Sequence, residues 1–475
     1  MTVRATLGDD LRRAIGADRV REGGAELSLY RRDAGHMAGA ASVVCFPVST
    51  VEVAACVRVA DAAGVPFVAR GSGTGLAGGA VPPDGAVVIS LTKMDRIRSV
   101  DPDARRAWVE PGVLNLDLSR AVAAHGLHFA PDPSSQQTCT IGGNVANNSG
   151  GPHCLAEGVT ASHIIALEVV LADGTVTVLG DEGPEPPGYD LRGAFVGSEG
   201  MCGIATSICV RLTQDPPVVR TMLLDYDDVE AGASTVSDII AAGIVPAAME
   251  MMDRLCLRAV EAYINAGLPV DAAAALLVEV VGQRAGVDAD TAAIVAIAER
   301  RGVGTVRIAA DDAERMLLWK GRKSAFGAIA RIKPNYYLHD TVVPRHQLPG
   351  VLAEVYAIAG RFGLDVLNVF HAGDGNLHPL LLFDEREPGV MDRVLAAGDA
   401  IVAASVAAGG VLSGEHGIGL EKRDLMPLMF SDVDLAAQAA LRRAFDPEER
   451  SNPGKVLPSP ARCADIQSIP AGAWV

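Results

Sequence analysis

The sequence predicts an α+β protein in which a glycine-rich domain precedes a ferredoxin-like α/β domain. Three observations carry that prediction. Separate glycine-rich stretches recur within residues 70–204. The paired prolines of "QDPPVV", residues 214–219, end a run of strands. Beyond them, strand and helix patterns follow in the order β-α-β-β-α-β. A length of 475 residues suits two or three cores rather than one. We therefore expect a first domain at 1–215, a second at 216–430, and a C-terminal segment at 431–475 that packs back on the first.

The elements follow in order. Ser49 and Glu52 form a capping-box signature ahead of an amphipathic helix in "STVEVAACVRVADAAG". The branched and aromatic runs "VPFVARG", "AVVISL" and "RAWVEPG" read as strands. A helix is expected near 115–125 and a hairpin around Asp173-Gly174. "DEGPEPPGYD" reads as a proline-rich surface loop. After 215 we expect strands near 218–224, 246–251, 274–282 and 304–309. Helices at 229–242 and 287–301 lie between them, with one extra helix after the second strand, all covering one face of the sheet.

Composition narrows the function classes. The chain is 49% hydrophobic and 21% charged, as soluble globular proteins are. A net charge of −17 argues against nucleic-acid binding and against electrostatic docking on anionic lipid. The N-terminal "MTVRATLGDDLRRAIGADRV" mixes charge into a helix-like pattern without the apolar core of a signal peptide. No apolar run approaches the roughly 20 residues that span a bilayer. The eight cysteines form no CxxC, which suits reduced thiols in a cytoplasmic protein without an iron–sulfur cluster of its own.

Two features point to chemistry. The stretches "RGSGTGLAGG" (70–79), "PDPSSQQTCTIGGNVANNSGG" (131–151) and "GSEGMCGI" (197–204) are rich in bare backbone. Their exposed N–H groups suit a pyrophosphate, although the Rossmann spacing Gly-x-Gly-x-x-Gly fits poorly. In "HAGDGNLHP", His371 and His378 flank a glycine turn between two strand-like runs, so strand ends rather than helical spacing bring the rings together. "SGEHGIG" adds Glu415 and His416. His371, His378 and Glu415 form a two-imidazole, one-carboxylate set suited to Zn²⁺, with Fe²⁺ or Mn²⁺ as alternatives. The competing reading is that these histidines satisfy buried backbone groups.

"RGSGTGLAGG", "PDPSSQ", "TIGGNVANNSGG", "GSEGMCGI", "HAGDGNLHP", "GEHGIG" and "NPGK" occur together and in order. In this the chain resembles the vanillyl-alcohol oxidase/p-cresol methylhydroxylase superfamily. Within it, the chain is similar to the FAD-binding subunits of bacterial glycolate oxidases and to D-lactate and D-2-hydroxyglutarate dehydrogenases. The resemblance implies a two-part PCMH-type FAD-binding domain followed by a cap domain for substrate. It assigns Arg70, Gly71, Ser72, Gly73, Thr74, Gly75, Pro133, Ser134, Gly143, Asn144, Gly150 and Gly197 to FAD, with Asn452 near the ring. The first loop lacks the histidine that some relatives use to attach FAD, so FAD is expected to be non-covalent. Cys202, Asn147 and Ser149 depart from residues common at those positions, and none removes a loop glycine.

The resemblance also makes His371, His378 and Glu415 metal ligands; His416, beside a ligand but pointing elsewhere, is then the natural general base. Arg322 of "WKGRKSAFGAIARIKP" is then the fork for a substrate carboxylate, its alternative being a solvated helix face. An unassisted hydroxyl holds its proton with a pKa of roughly 16, whereas zinc-bound water titrates near 7, a change on the order of 12 kcal/mol. The implied activity is FAD-dependent oxidation of a small 2-hydroxy acid. Leu380 stands where 2-hydroxyglutarate enzymes carry an Asn, which favours glycolate first and D-lactate second. D-2-hydroxyglutarate or another D-2-hydroxy acid is an alternative, and a non-catalytic flavin-binding assembly subunit is the rival from another class. Companion subunits, one carrying iron–sulfur clusters, are implied as electron acceptors and as a route to peripheral membrane association.

Overall fold

The computed structural model describes residues 3–183 and 188–458. The tip of the proline-rich loop and the end of the C-terminal segment lie outside the described residues.

Ser49 starts the helix Thr50–Ala62 by accepting the Glu52 N–H at 3.4 Å. The reciprocal half of the box is replaced, because the Glu52 carboxylate accepts from the Val48 N–H at 2.8 Å and pairs with Arg19. Val53, Ala54, Val57 and Ala60 of this helix pack in one core with Phe67, Val87 and Ile89. There the strands Val43–Cys45 and Phe67–Arg70 run parallel to either side of Val87–Ser90. The apolar "VVC" and the largely apolar "VVIS" have every residue buried, as strands enclosed on both faces require. "RGSGTGLAGG" leaves the carboxyl end of Phe67–Arg70. A second, antiparallel sheet has the order Ile97–Asp101, Arg106–Val109, Ile204–Arg211, Ile164–Val170, Val176–Gly180. Its last two strands are joined through Asp173 and Gly174, whose φ of +81° suits glycine.

In the second half, the strands Val306–Ile308, Val218–Tyr226, Ala274–Gly282 and Ala248–Asp253 lie side by side in that order, all antiparallel. With the helices Val229–Ala241 and Arg284–Arg300 in sequence between them, this is the ferredoxin-like arrangement. The sheet differs from expectation on its second face. Arg254–Ile264, Asp312–Lys323 and Ala325–Ile329 cover that face with Cys256, Leu257, Val260, Leu318, Trp319 and Ile329. Strand residues such as Leu223, Ala275 and Leu277 point into it, so helices sandwich the sheet. The sheet also continues past Ala248–Asp253 into Asp365–His371, which carries the first histidine of the glycine turn.

After the helix Asp432–Phe445 the chain returns to the first half. Ser451 bridges Phe67 in parallel, and the Asn452 N–H donates to the Phe67 carbonyl at 2.8 Å. Among the described residues no helix is long and apolar enough to cross a membrane.

A polar bridge joins the two halves. His153 Nδ1 lies 3.0 Å from Asp132, and its Nε2 lies 3.3 Å from Glu279 on the second sheet. Glu279 also accepts from Trp319 Nε1 at 2.7 Å and Thr221 Oγ1 at 2.5 Å. Burial opposes a charged ring, but the two carboxylates outweigh it and raise His153 to about 10. A histidine raised on folding stabilises fully below its unfolded pKa of about 6.5 and loses that contribution as pH rises through about 10. The gap in urea midpoint between wild type and His153→Ala should therefore shrink between about pH 6 and about pH 10.

Candidate active site

A cavity of about 370 Å³ opens between the halves. One wall is the first glycine loop, Arg70, Gly71, Ser72, Gly73, Thr74 and Gly75, with Pro133, Ser134, Gly143 and Asn144. The opposing wall carries Arg322, His378, Glu415 and His416. The loop is bare by necessity. A Cβ at Gly71 would meet Thr140 Oγ1 at 2.2 Å, and one at Gly73, whose φ is +74°, would meet the Arg70 guanidinium at 2.1 Å. Such a backbone cradle fits a pyrophosphate-bearing cofactor.

Five of the residues singled out in the sequence do not line the cavity. Gly150 packs where a Cβ would sit 2.9 Å from Glu415 Oε2, and Gly197 where one would sit 3.1 Å from the Asn148 side chain. Asn452 donates to the carbonyls of Gly79 at 2.8 Å and Glu199 at 2.6 Å, tying two loops together behind the wall. His371 lies deeper, beside His378, with ring centroids 5.0 Å apart. Leu380 is buried with Leu338, Phe326 and Leu76, which line the cavity, so it backs the wall rather than facing the space.

His371, His378 and Glu415 converge. Both Nε2 atoms approach Glu415 Oε1, at 3.3 Å and 3.2 Å. Each Nδ1 is already held, that of His371 by Glu250 at 2.7 Å and that of His378 by the His339 carbonyl at 3.2 Å. Holding Nδ1 fixes the ring and presents Nε2 as a ligand, the usual outer shell of a metal-binding histidine. His378 Nε2 is buried without a hydrogen bond, since its approach to Glu415 lacks hydrogen-bond geometry. This donor set fits a divalent cation better than it fits histidines satisfying backbone groups. Asp340, His378 and His416 make a second grouping of the same span, sharing His378.

His371 lies on the last position of its strand, directly opposite Glu250. Gly375, at φ +73°, lets the chain turn back, and a Cβ there would lie 2.2 Å from the Val343 carbonyl. Glu415 and His416 sit on a loop organised by Asp340. That carboxylate accepts the N–H groups of Gly414 at 3.0 Å, Glu415 at 3.2 Å and His416 at 2.9 Å, and the Ser413 hydroxyl at 2.5 Å. The His416 ring stacks on His378 at 5.0 Å. Burial drives His416 down to about 4, with the attraction of Asp340 insufficient to restore it. The ring is therefore neutral at pH 7, and its Nδ1 is buried without a hydrogen bond.

Arg322 is 1% exposed, which removes the solvated helix face. Its Nε and Nη2 donate to Glu250 Oε2 at 2.7 Å and 2.6 Å, while Glu250 Oε1 takes His371. Glu250, Asp340 and Glu199 escaped the sequence reading. An acid between methionines in "AMEMMD" was the one available signal for Glu250.

Residues 41–180 match the FAD binding domain family, and residues 215–456 match the FAD linked oxidases, C-terminal domain. The chain is 46% identical over 427 residues to the glycolate oxidase subunit GlcD of Escherichia coli (strain K12), covering 90% of this chain and 86% of that one. It is 30% identical over 420 residues to a D-lactate dehydrogenase of Anaerostipes hadrus, covering 86% and 88%. The fold matches p-cresol methylhydroxylase with substrate bound at a TM-score of 0.82 and 18% identity, over 96% and 97% of the two chains. It matches 4-ethylphenol oxidase from Gulosibacter chungangensis at 0.79 and 19%, over 97% and 98%.

Glu250 neutralises Arg322 and orients His371 at once. Glu250→Ala strands a buried guanidinium, and urea unfolding should register a loss of about 3–5 kcal/mol.

Proposed function

The chain belongs to the FAD-linked oxidase family, and on that premise we propose that it oxidises a small 2-hydroxy acid to the 2-oxo acid. Glycolate is the first substrate and D-lactate the second, following the names of the two relatives and the apolar Leu380 behind the cavity wall. The observation that carries the reading is the convergence of both histidine Nε2 atoms on Glu415 beside His416, whose Nδ1 is buried without a hydrogen bond.

Bound FAD would supply the two-electron acceptor, and a divalent cation held by His371, His378 and Glu415 would acidify a hydroxyl that ligates it. His416 accepts the hydroxyl proton on its ring nitrogen, which burial keeps free of a proton at neutral pH. Arg322 offers its guanidinium edge to the substrate carboxylate, already oriented by Glu250. The loops at 70–75, 133–134 and 143–144 cradle FAD, while Gly150, Gly197 and Asn452 shape those loops from behind. The cofactor half ends near residue 215, the cap runs to 430, and the remainder closes the cofactor half.

An iron–sulfur companion subunit is the proposed electron acceptor, supported by the word subunit in the relative's name and by the absence of a CxxC in this sequence. A peripheral place at a membrane would come through that partner.

The test is anaerobic mixing of the FAD-loaded chain with glycolate, D-lactate and D-2-hydroxyglutarate, followed by flavin absorbance and elemental analysis. Glycolate should bleach the flavin fastest, and metal should be present in about one equivalent. His416→Ala should slow bleaching by about a hundredfold or more while FAD stays bound. A wild-type flavin that none of the three acids bleaches would sink the enzymatic reading and leave the assembly-subunit alternative.

A further inference from the structure

Glu199 is an acid on the cavity wall to which the chemistry above gives no part. Its residue is 6% exposed, and its backbone takes φ +51°, a left-handed conformation that costs a non-glycine residue about 1–2 kcal/mol. Gly197 and Gly200 beside it are also left-handed, so the whole turn is bent to present this side chain. The turn is pinned from below, where the Glu199 N–H donates to the Ala146 carbonyl at 2.8 Å and its own carbonyl accepts from Asn452.

The carboxylate reaches across to the other half of the molecule. Oε1 accepts the Ile418 N–H at 2.7 Å, while Oε2 is buried without a partner. Two residues earlier on the same loop, the His416 carbonyl accepts from Asn147 Nδ2 at 2.8 Å. Between these grips stands Gly417, where a Cβ would lie 2.7 Å from Glu199 Oε1. At its φ of +89° a side chain would be strained, and it would displace the Glu199 carboxylate that grips the loop.

We propose that Glu199 is a positioning residue for His416, its carboxylate and the Asn147 amide together gripping the 416–418 backbone from the cofactor half. Asp340 holds the same loop from the cap side, so the imidazole is fixed only where the two halves meet. The inference rests on His416 as the proton acceptor. Releasing one grip moves the ring relative to the substrate without removing any group that binds substrate.

The experiment compares anaerobic flavin reduction by glycolate in FAD-loaded wild type, Glu199→Ala, Glu199→Gln, His416→Ala and the double variant His416→Ala/Glu199→Ala. Glu199→Ala should lower the limiting rate by about tenfold to a hundredfold. Half-saturation by glycolate should change by less than about threefold. Glu199→Gln keeps an oxygen acceptor for the Ile418 N–H and should recover most of the loss. In the His416→Ala background, removing Glu199 should cost nothing further, because the two act as one unit. Independently of turnover, diethyl pyrocarbonate should modify His416 faster in Glu199→Ala than in wild type.

A wild-type rate in Glu199→Ala, additive losses in the double variant, a Gln variant as slow as Ala, or unchanged His416 reactivity would each overturn the proposal. If Glu199→Ala fails to fold or to hold FAD, Asn147→Ala removes the other grip and is read by the same cycle with the same outcomes. A normal rate in His416→Ala would instead strike the base assignment, so the two failures are told apart.

Discussion

The buried carboxylate of Asp340 is the constraint on which the site depends. Residues 413–417 have no helix or strand to shape them, and Asp340 substitutes for one by accepting three consecutive backbone N–H groups and a hydroxyl. Burial works against its charge, yet His416, Lys422 and His378 hold its pKa below the usual carboxylate range. Lys422 also donates to the Asp340 carbonyl at 2.5 Å, fixing the acid's own backbone. Adjacent side chains on so short a loop diverge only because their N–H groups share one anchor, so Glu415 can face the histidines while His416 stacks on the other side of His378.

Around that anchor the halves contribute different materials. The cofactor half supplies backbone, with glycines wherever a Cβ would collide. The cap supplies buried charge in matched sets, Glu250 with Arg322 and His371, Asp340 with Lys422. Arg70, Arg322, Lys422 and Lys455 are all buried near the cavity in a chain of net charge −17. Each faces an acid, Glu250 for Arg322, Asp340 for Lys422, Glu199 for Lys455 and Asp33 for Arg70, so the interior charge is balanced.

Much of this was legible in the sequence because it is local. Helix and strand periods after residue 215 marked the ferredoxin-like order within a few residues, and the glycine stretches marked the cradle. The capping signature at Ser49 was half right, since Glu52 was drawn to Val48 and Arg19 by groups that a four-residue window does not contain. The second layer of helices was missed because an all-apolar strand reads the same whether one face or two are covered. Glu250 and Asp340 were invisible for a related reason. Their partners lie 72 and 75 residues away, and neither "AMEMMD", for all its acid between methionines, nor "LHDT" names those partners. Motif membership likewise assigned Gly150, Gly197 and Asn452 to the cofactor, and it could not tell that none of the three lines the cavity.

The returning C-terminal segment sets an order of assembly during synthesis. Ser451 bridges Phe67 across 384 positions of chain, and Asn452 closes the loop that Gly79 and Glu199 share. At about 5–20 residues per second, a ribosome adds that much chain in roughly 20 to 80 seconds. Throughout that interval the nascent N-terminal half lacks the bridge at Ser451 and the Asn452 contacts, while its apolar layers are already emerging. The loops that Asn452 joins are thus completed only once residues 451–452 have returned to Phe67.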